Sequence, residues 1–102
     1  PETPVDAWAT RRDDGAWLVD GAMPAAELKA RLDIDALPDE DRGRYNTVAG
    51  LMQTVAGALL ARGESVDCAG WRFEVTELVG RRIERVLITR LPEAEVAADG
   101  DG

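Results

Sequence analysis

The chain has 102 residues, of which 45% are hydrophobic and 31% charged, as is usual for one globular domain. It contains no histidine, one serine and one cysteine, which excludes an internal disulfide and any Ser–His or Cys–His nucleophile pair. Its net charge of −8 argues against a nucleic-acid partner, because phosphate binding requires a basic surface.

The acidic charge is concentrated at the end of the chain. Residues 93–102 hold four acids and no base, whereas residues 1–92 hold 16 acids and 12 bases. We therefore expect a linker at 1–6, one folded domain at 7–92 and a disordered acidic tail at 93–102. No apolar run approaches the roughly 20 residues that span a bilayer. We expect the isolated domain to be soluble, with any membrane anchor in another part of a longer protein.

The first elements in chain order are a hairpin and a short helix. The pair Asp14-Gly15 precedes the apolar run Trp17–Val19, which predicts a tight turn between two strands. Pro24 suits the first position of a helix over 25–32, where its missing N–H is harmless. The polar stretch 33–44 that follows predicts a loop.

The second helix has the clearest periodicity. Asn46 or Thr47 can cap its start, and Gly63 is well placed to end it. An apolar stripe follows helical spacing: Val48, Leu51, Met52, Val55 and Leu59. A second face at helical spacing carries only small residues: Gly50, Thr54, Gly57 and Ala61. Each interior glycine costs about 1 kcal/mol against alanine, so this face predicts close contact with another element or a partner.

Three strands complete the chain, at 65–68, 71–78 and 83–91. The alternation of apolar and polar residues breaks at Glu77-Leu78, which predicts a bulge or a strand end. Val86, Leu87 and Ile88 are apolar in succession and predict an interior strand that is buried on both faces. The result is an α+β fold of order β-β-α-α-β-β-β, with two helices on one face of a mostly antiparallel sheet.

Side chains for catalysis or metal binding are not arranged in any recognisable pattern. The acidic stretch 33–41 lacks the spacing of a calcium loop and carries Pro38, so a solvated linker is the better interpretation. Cys68 follows Asp67, which disfavours a thiolate, and we expect a small buried hydrophobic residue in a strand there. We predict no catalytic residue, no metal ligand and no enzymatic activity.

A cluster of arginines distinguishes the last hairpin. Arg72, Arg81, Arg82, Arg85 and Arg90 lie near three acids: Glu74, Glu77 and Glu84. Cross-strand pairing with those acids on an exposed sheet face is one interpretation. The other is a site for an anionic ligand or an acidic partner, because the guanidinium binds carboxylate and phosphate with two hydrogen bonds. The candidate residues for such a site are Arg72, Gly80, Arg81, Arg82 and Arg85.

Six short segments in order resemble the CorC/HlyC transporter-associated domain. They are Trp17-Leu-Val-Asp-Gly21, Met23-Pro-Ala-Ala-Glu-Leu28, Thr47-Val-Ala-Gly50, Gly63-Glu-Ser-Val66, Trp71-Arg-Phe-Glu-Val75 and Gly80-Arg-Arg-Ile-Glu-Arg-Val86. The resemblance covers residues 7–91. The sequence departs from the family pattern at Leu60-Ala-Arg62, where the family usually has a proline. The resemblance therefore does not predict the residue at which the second helix ends.

This resemblance implies a C-terminal domain on the cytoplasmic side of the bacterial inner membrane. Such domains follow CBS domains and, in many parents, a transmembrane region, and the parents are associated with magnesium and cobalt efflux or named haemolysins. We therefore expect a non-catalytic accessory or regulatory domain that contacts its own CBS domains or transmembrane region, and that can form a homodimer. Because the fold is similar to part of FAD-binding domains, the alternative is a sensor that binds FAD or an adenine nucleotide at the arginine hairpin. Otherwise no cofactor is expected.

Overall fold

The computed structural model describes residues 8–92, so the expected linker at 1–6 and the expected acidic tail at 93–102 both lie outside it. Within this range the predicted order of elements is confirmed. The elements are β1 (Ala9–Arg11), β2 (Trp17–Asp20), α1 (Ala25–Leu32), α2 (Val48–Ala56), β3 (Ser65–Cys68), β4 (Trp71–Val79) and β5 (Arg82–Arg90), with one 3-10 turn at Glu40–Arg42.

The five strands form one antiparallel sheet in the order β1-β2-β5-β4-β3. Both helices pack on the same face of this sheet, where fully buried side chains from strands and helices form the core. They include Val19, Met23, Leu28, Val48, Leu51, Met52, Phe73, Val75, Val86 and Ile88. The α+β class with two helices over an antiparallel sheet is therefore confirmed.

Strand β5 lies in the middle of the sheet, between β2 and β4, as the apolar run predicted. Val86 and Ile88 point to the helices and are fully buried. Leu87, between them, is only half-buried, because no described element covers the opposite face of the sheet. The expectation of burial on both faces was therefore wrong for Leu87.

The first hairpin turns where Asp14-Gly15 predicted. The N–H of Arg12 donates to the carbonyl of Ala16 at 2.7 Å, and the Asp14 carboxylate accepts from the N–H of Ala16 at 3.0 Å. Gly15 has φ +90°, a conformation that glycine adopts readily. Glycine is thus required by the backbone of this turn.

Each helix has one end that differs from the prediction: the start of α1 and the end of α2. Pro24 precedes α1 instead of opening it, since its ψ of 142° is extended and its carbonyl accepts from the N–H of Leu28. Helix α2 ends at Ala56, seven residues before the expected stop at Gly63. Gly57 takes the left-handed conformation with φ +73°, and its N–H donates to Gln53 at 2.8 Å. Leu59, which the stripe placed on the buried face, is 60% exposed.

The loop between the helices is more ordered than a solvated linker would be. Glu40 accepts from the Lys29 ammonium at 2.8 Å and from the N–H of Leu37 at 2.6 Å. Those two hydrogen bonds, chiefly the one from Lys29, lower the pKa of the Glu40 carboxyl. The Tyr45 hydroxyl donates to the carbonyl of Pro38, so Pro38 and Glu40, in the middle of the loop, are tied to Tyr45 and to helix α1.

Candidate functional site

The last hairpin extends beyond its neighbours in the sheet. Strand β2 pairs with β5 only as far as Asp20 opposite Arg85, and β3 pairs with β4 only from Ser65 opposite Glu74. Residues 76–84 therefore form a two-stranded arm, which turns at Gly80 with φ +64°. The register shifts between Val75, Glu77 and Leu78 confirm the predicted bulge and place it at the base of the arm.

The structure brings only some of the predicted arginines together. Gly80, Arg81 and Arg82 form the tip of the arm, and Arg85 lies three residues further along β5. Arg72 is opposite Thr89, seven residues from Arg82, which corresponds to about 23 Å along an extended strand. Arg72 therefore does not share a site with the tip.

Ion pairs account for part of the arginine charge. Arg72 binds Asp67 with two hydrogen bonds of 2.9 and 3.1 Å, and Asp67 is not among the three acids that were the expected partners. Arg82 pairs with Glu84 at 2.7 Å within β5, and both side chains are partly exposed. Arg85 lies opposite Glu77 in the register, as cross-strand pairing predicted.

Arg90, at the far end of β5, contacts an aromatic ring. Its guanidinium lies 5.2 Å from the centroid of the Trp71 ring, on the helix side of the sheet. This contact closes the end of the core that is opposite the arm, so Arg90 belongs to the packing of the domain and not to the tip.

A groove of about 350 Å³ lies at the base of the arm. We call it the hairpin groove. Its lining consists of Asp20, Gly21, Ala22, Thr47, Ala49, Arg82, Ile83 and Glu84. Most of the accessible lining surface is apolar, and Arg82 and Glu84 add charged groups. The side chain of Ile83 itself is buried beneath it at 2% exposure. A mostly apolar recess with a few charged groups has the general form of a recognition site.

Three of the six sequence segments that resemble the known family meet in this groove. The N–H of Gly21 donates to the carbonyl of Glu84 at 3.0 Å, and the carbonyl of Gly21 accepts from the N–H of Ala49 at 2.9 Å. A Cβ atom at Gly21 would lie 2.1 Å from the carbonyl oxygen of Ile83. Only glycine allows this approach of the β2 end to the arm, and the groove depends on it.

The N-terminus of α2 faces the groove, but its backbone donors are already used. The N–H of Val48 donates to Met23 at 2.9 Å, and the N–H of Gly50 donates to the Thr47 hydroxyl at 3.1 Å. Together with the bond from Ala49, these contacts leave the first turn of the helix satisfied within the chain. The arrangement therefore favours side-chain contacts with a partner over an anion held by backbone N–H groups.

The small-residue face of α2 is shorter than the sequence indicated. A Cβ at Gly50 would lie 2.9 Å from the Cβ of Tyr45, so the close neighbour at this position is the chain's own loop. Gly57 ends the helix, and Ala61 follows it, so neither lies on the predicted helical face. Thr54 remains on α2 and is half-buried. The assignment of this face to an outside partner stays a prediction, but most of its motivation is lost.

Cys68 is half-buried on β3 and packs against the core as a small apolar residue. Burial, and then the adjacent Asp67 carboxylate, raise the pKa of its thiol to about 11. Among residues 8–92 no group of three or more carboxylate and thiol side chains is placed to hold a metal ion. In the same range no helix has the length and apolarity to cross a membrane.

Sequence reasoning found Arg82 but missed the groove beside it. The groove joins residues from β2, α2 and β5, which are far apart along the chain, and no local pattern links them. One sequence feature was relevant to the groove: Gly21, Gly50 and Gly80 each fall within a segment that resembles the family. The spacing of these glycines does not indicate that the segments with Gly21 and Gly50 contact the segment with Gly80.

Comparison with known proteins identifies the family. The family model described as a transporter associated domain, CorC_HlyC, matches residues 10–92. Among solved structures, the transporter associated domain CorC_HlyC from a Xylella fastidiosa hemolysin, solved in complex with Mg++ and Mn++, is 36% identical. It superimposes with a TM-score of 0.73 and covers 84% of this chain and 100% of that chain.

Two curated relatives are much longer proteins. The polyamine export protein of Escherichia coli K12 is 36% identical over 86 residues, which are 84% of this chain and 19% of that protein. The magnesium and cobalt efflux protein CorC of Vibrio cholerae is 46% identical over 50 residues, or 49% of this chain and 17% of that protein. The chain therefore spans about a fifth of the length of the relatives it matches, and it belongs to the CorC/HlyC transporter-associated domain family.

Proposed function

We propose that this chain is a non-catalytic accessory or regulatory domain of a membrane-anchored efflux protein. The proposal rests on one observation. The family model matches residues 10–92, and the relatives that this chain matches include export and efflux proteins about five times its length. In this proposal the domain lies on the cytoplasmic side of the membrane. It acts on the CBS domains or transmembrane region of its own parent.

The tip of the arm is the proposed contact surface. Arg81 and Arg82 are exposed, and Val79 beside them is 56% exposed. Arginine is one of the residue types that are enriched among the side chains carrying most of the binding energy of protein interfaces. The arm extends beyond β2 and β3, so a partner can reach it without disturbing the core.

The cargo of the parent is the least constrained part of the proposal. Matches that cover more than three quarters of the chain include polyamine export proteins, and a shorter match is to a magnesium and cobalt efflux protein. Polyamines, Mg²⁺ and Co²⁺ are all cations. We therefore propose a parent that exports a cation, with this domain regulating transport and not binding the cargo.

A charge reversal in the full-length parent tests the function. Arg81→Glu together with Arg82→Glu should reduce efflux of polyamine or divalent metal from loaded cells, because the arm would no longer bind its partner surface. The matched control is Arg12→Glu with Arg44→Glu, which reverses two exposed arginines away from the arm. Unchanged efflux in the arm variant, with normal expression and an unchanged urea midpoint of the isolated domain, would refute the proposal.

The alternative of a nucleotide or flavin sensor stays a prediction. The distance between Arg72 and the tip weakens it, since the predicted arginines do not converge on one ligand. The hairpin groove offers one guanidinium, that of Arg82, and this group is already paired with Glu84.

A further inference from the structure

A further cavity lies at the end of the domain opposite the arm. Its volume is about 410 Å³, which is within the range of small-molecule sites, and we call it the Trp71 cavity. Its walls are residues 32–36 at the end of α1, Ala69 in the turn between β3 and β4, and Trp71 and Arg90 at the paired ends of β4 and β5. In contrast to the hairpin groove, most of its accessible lining surface is polar.

Backbone hydrogen bonds fix both walls of the Trp71 cavity. The N–H of Leu91 donates to the carbonyl of Gly70 at 3.1 Å, which joins the end of β5 to the turn between β3 and β4. On the opposite wall, the N–H of Ile34 donates to the carbonyl of Lys29 at 2.9 Å, where α1 ends. The cavity is therefore formed by the folded framework itself.

The cationic side of the cavity is Arg90. Its guanidinium lies 5.2 Å from the centroid of the Trp71 ring, and this contact restricts its position. The ion pairs that join residues 8–92 include none with Arg90. A cation–π contact leaves the guanidinium N–H donors without an oxygen acceptor. Arg90 therefore presents a positioned fork that suits a carboxylate.

The anionic side is formed by Asp33 and Asp35. Both residues are exposed, and neither takes part in an ion pair within the described part of the chain. The C-terminus of α1 adds partial negative charge, which favours a cation. The two basic residues of its last turn, Lys29 and Arg31, pair with glutamates that do not line the cavity. This side therefore suits an ammonium group.

Opposite charges thus line one cavity without an ion pair between them. A ligand with two carboxylates would face two aspartates, and a ligand with two ammonium groups would face Arg90. A ligand that carries one carboxylate and one ammonium group complements both sides, and an α-amino acid is a small molecule of this kind. The polar lining favours a small or polar side chain over a large apolar one.

We propose that the Trp71 cavity binds a free α-amino acid. Its carboxylate accepts hydrogen bonds from Arg90, and its ammonium group lies between Asp33 and Asp35. This site goes beyond the proposed function and uses no residue of the arm. If the domain also regulates transport as proposed, the site would let the concentration of an amino acid control that regulation.

A titration of the isotope-labelled 102-residue chain tests the site. The common L-amino acids are added one at a time at millimolar concentrations, with nuclear magnetic resonance as the readout. At least one of them should shift the amide signals of Asp35, Ala36 and Ala69 and the indole N–H signal of Trp71. The amide signal of Ile83, which lies at the hairpin groove, should stay in place.

Blocked derivatives distinguish an amino-acid site from a site for a simple ion. The methyl ester and the N-acetyl derivative of the amino acid that binds should each bind at least about tenfold more weakly, because each lacks one of the two charges. Acetate alone and methylammonium alone should leave the cavity signals unchanged at the same concentrations. Equal binding of the amino acid and of either derivative would contradict the proposal.

Single substitutions test the two sides of the cavity separately. Arg90→Gln and Asp33→Asn should each weaken binding by at least about tenfold. Asparagine also adopts the left-handed conformation of residue 33, where φ is +57°, so this variant keeps the backbone. The matched controls Arg44→Gln and Asp41→Asn change exposed residues outside the cavity and should bind as the wild type does. The urea midpoint of each variant shows whether the fold is retained.

Three further results would overturn the inference. One is the absence of any shift at the cavity with all of the amino acids. Another is undiminished binding by Arg90→Gln or by Asp33→Asn. The third is binding that appears only after Glu93→Gln and Glu95→Gln, which would assign Arg90 to carboxylates of the chain's own C-terminal stretch. None of these results involves the arm, so the efflux test of the proposed function succeeds or fails separately.

Discussion

At the residue scale, Gly21 determines how the end of β2 meets the arm. Its two backbone hydrogen bonds connect β5 and α2, and its missing side chain leaves room for the carbonyl of Ile83. The pair Asp20-Gly21 was visible in the sequence as a strand end. The reason for glycine was not, because the neighbour that requires it lies more than 60 residues away along the chain.

Gly21→Ala should destabilise the domain by about 2–3 kcal/mol, because the added methyl would lie 2.1 Å from a backbone oxygen that cannot rotate away. Urea unfolding followed by tryptophan fluorescence measures this. Ala22→Ser, at the exposed neighbouring position, should change stability by less than about 0.5 kcal/mol. A similar small effect from both substitutions would contradict the close approach.

The Cys68 thiol should make the stability of the domain depend on alkaline pH. Its pKa is raised from 9.0 to about 11 in the fold, so the unfolded chain loses the proton first as pH rises. Ionisation of this thiol therefore leaves the free energy of unfolding unchanged below about pH 9 and lowers it between about pH 9 and 11. Urea titrations across this range should show a smaller fall for Cys68→Ala. Tyr45, whose pKa is also raised, chiefly by burial, supplies the remaining slope. Identical slopes in both proteins would contradict this role of Cys68.

At the element scale, local sequence signals predicted where α2 begins but not where it ends. Thr47 was one of two predicted caps, and its hydroxyl accepts from Gly50 at 3.1 Å. The predicted end of α2 was wrong because either Gly57 or Gly63 can adopt the left-handed conformation that ends a helix. Tertiary contacts decide which of the two glycines does so. Gly63 instead pairs with β4 through the carbonyl of Val75, which requires the chain to leave the helix earlier.

Thr47→Ala should cost about 1 kcal/mol of stability, because the N–H of Gly50 would lose its side-chain acceptor. Thr47→Ser keeps that acceptor and should stay close to the wild type. Chemical unfolding of the three proteins measures the difference. Equal losses in both variants would show that the threonine methyl, and not the hydroxyl, stabilises this end of α2.

At the scale of the whole molecule, the order of strands was beyond sequence reasoning. Placing β5 between β2 and β4 brings the first hairpin beside the last one and creates the hairpin groove. The succession Val86–Ile88 correctly predicted a central strand, but no local pattern identified β2 as its neighbour. The family resemblance was predictable from residues alone, because its segments are short and fixed in order.

The spread of the arginines leads to a prediction about small ligands. FAD, ATP, ADP and AMP at millimolar concentration should leave the thermal unfolding midpoint unchanged, because no described site brings the predicted arginines together. A ligand present at 100 times its dissociation constant would stabilise the fold by about 2.7 kcal/mol. A reproducible upward shift with any of the four, lost in Arg81→Glu/Arg82→Glu, would support the sensor function instead.

The affinity of the domain for the remainder of its parent tests the proposed function most directly. The parent is expressed without this domain, and the domain is added as a separate chain in a calorimetric titration. We predict saturable binding by the wild type, and binding at least about tenfold weaker, or about 1.4 kcal/mol, for Arg81→Glu/Arg82→Glu. Arg12→Glu/Arg44→Glu should bind as the wild type does. Equal affinity of the arm variant and the wild type, or no binding by either, would contradict the account.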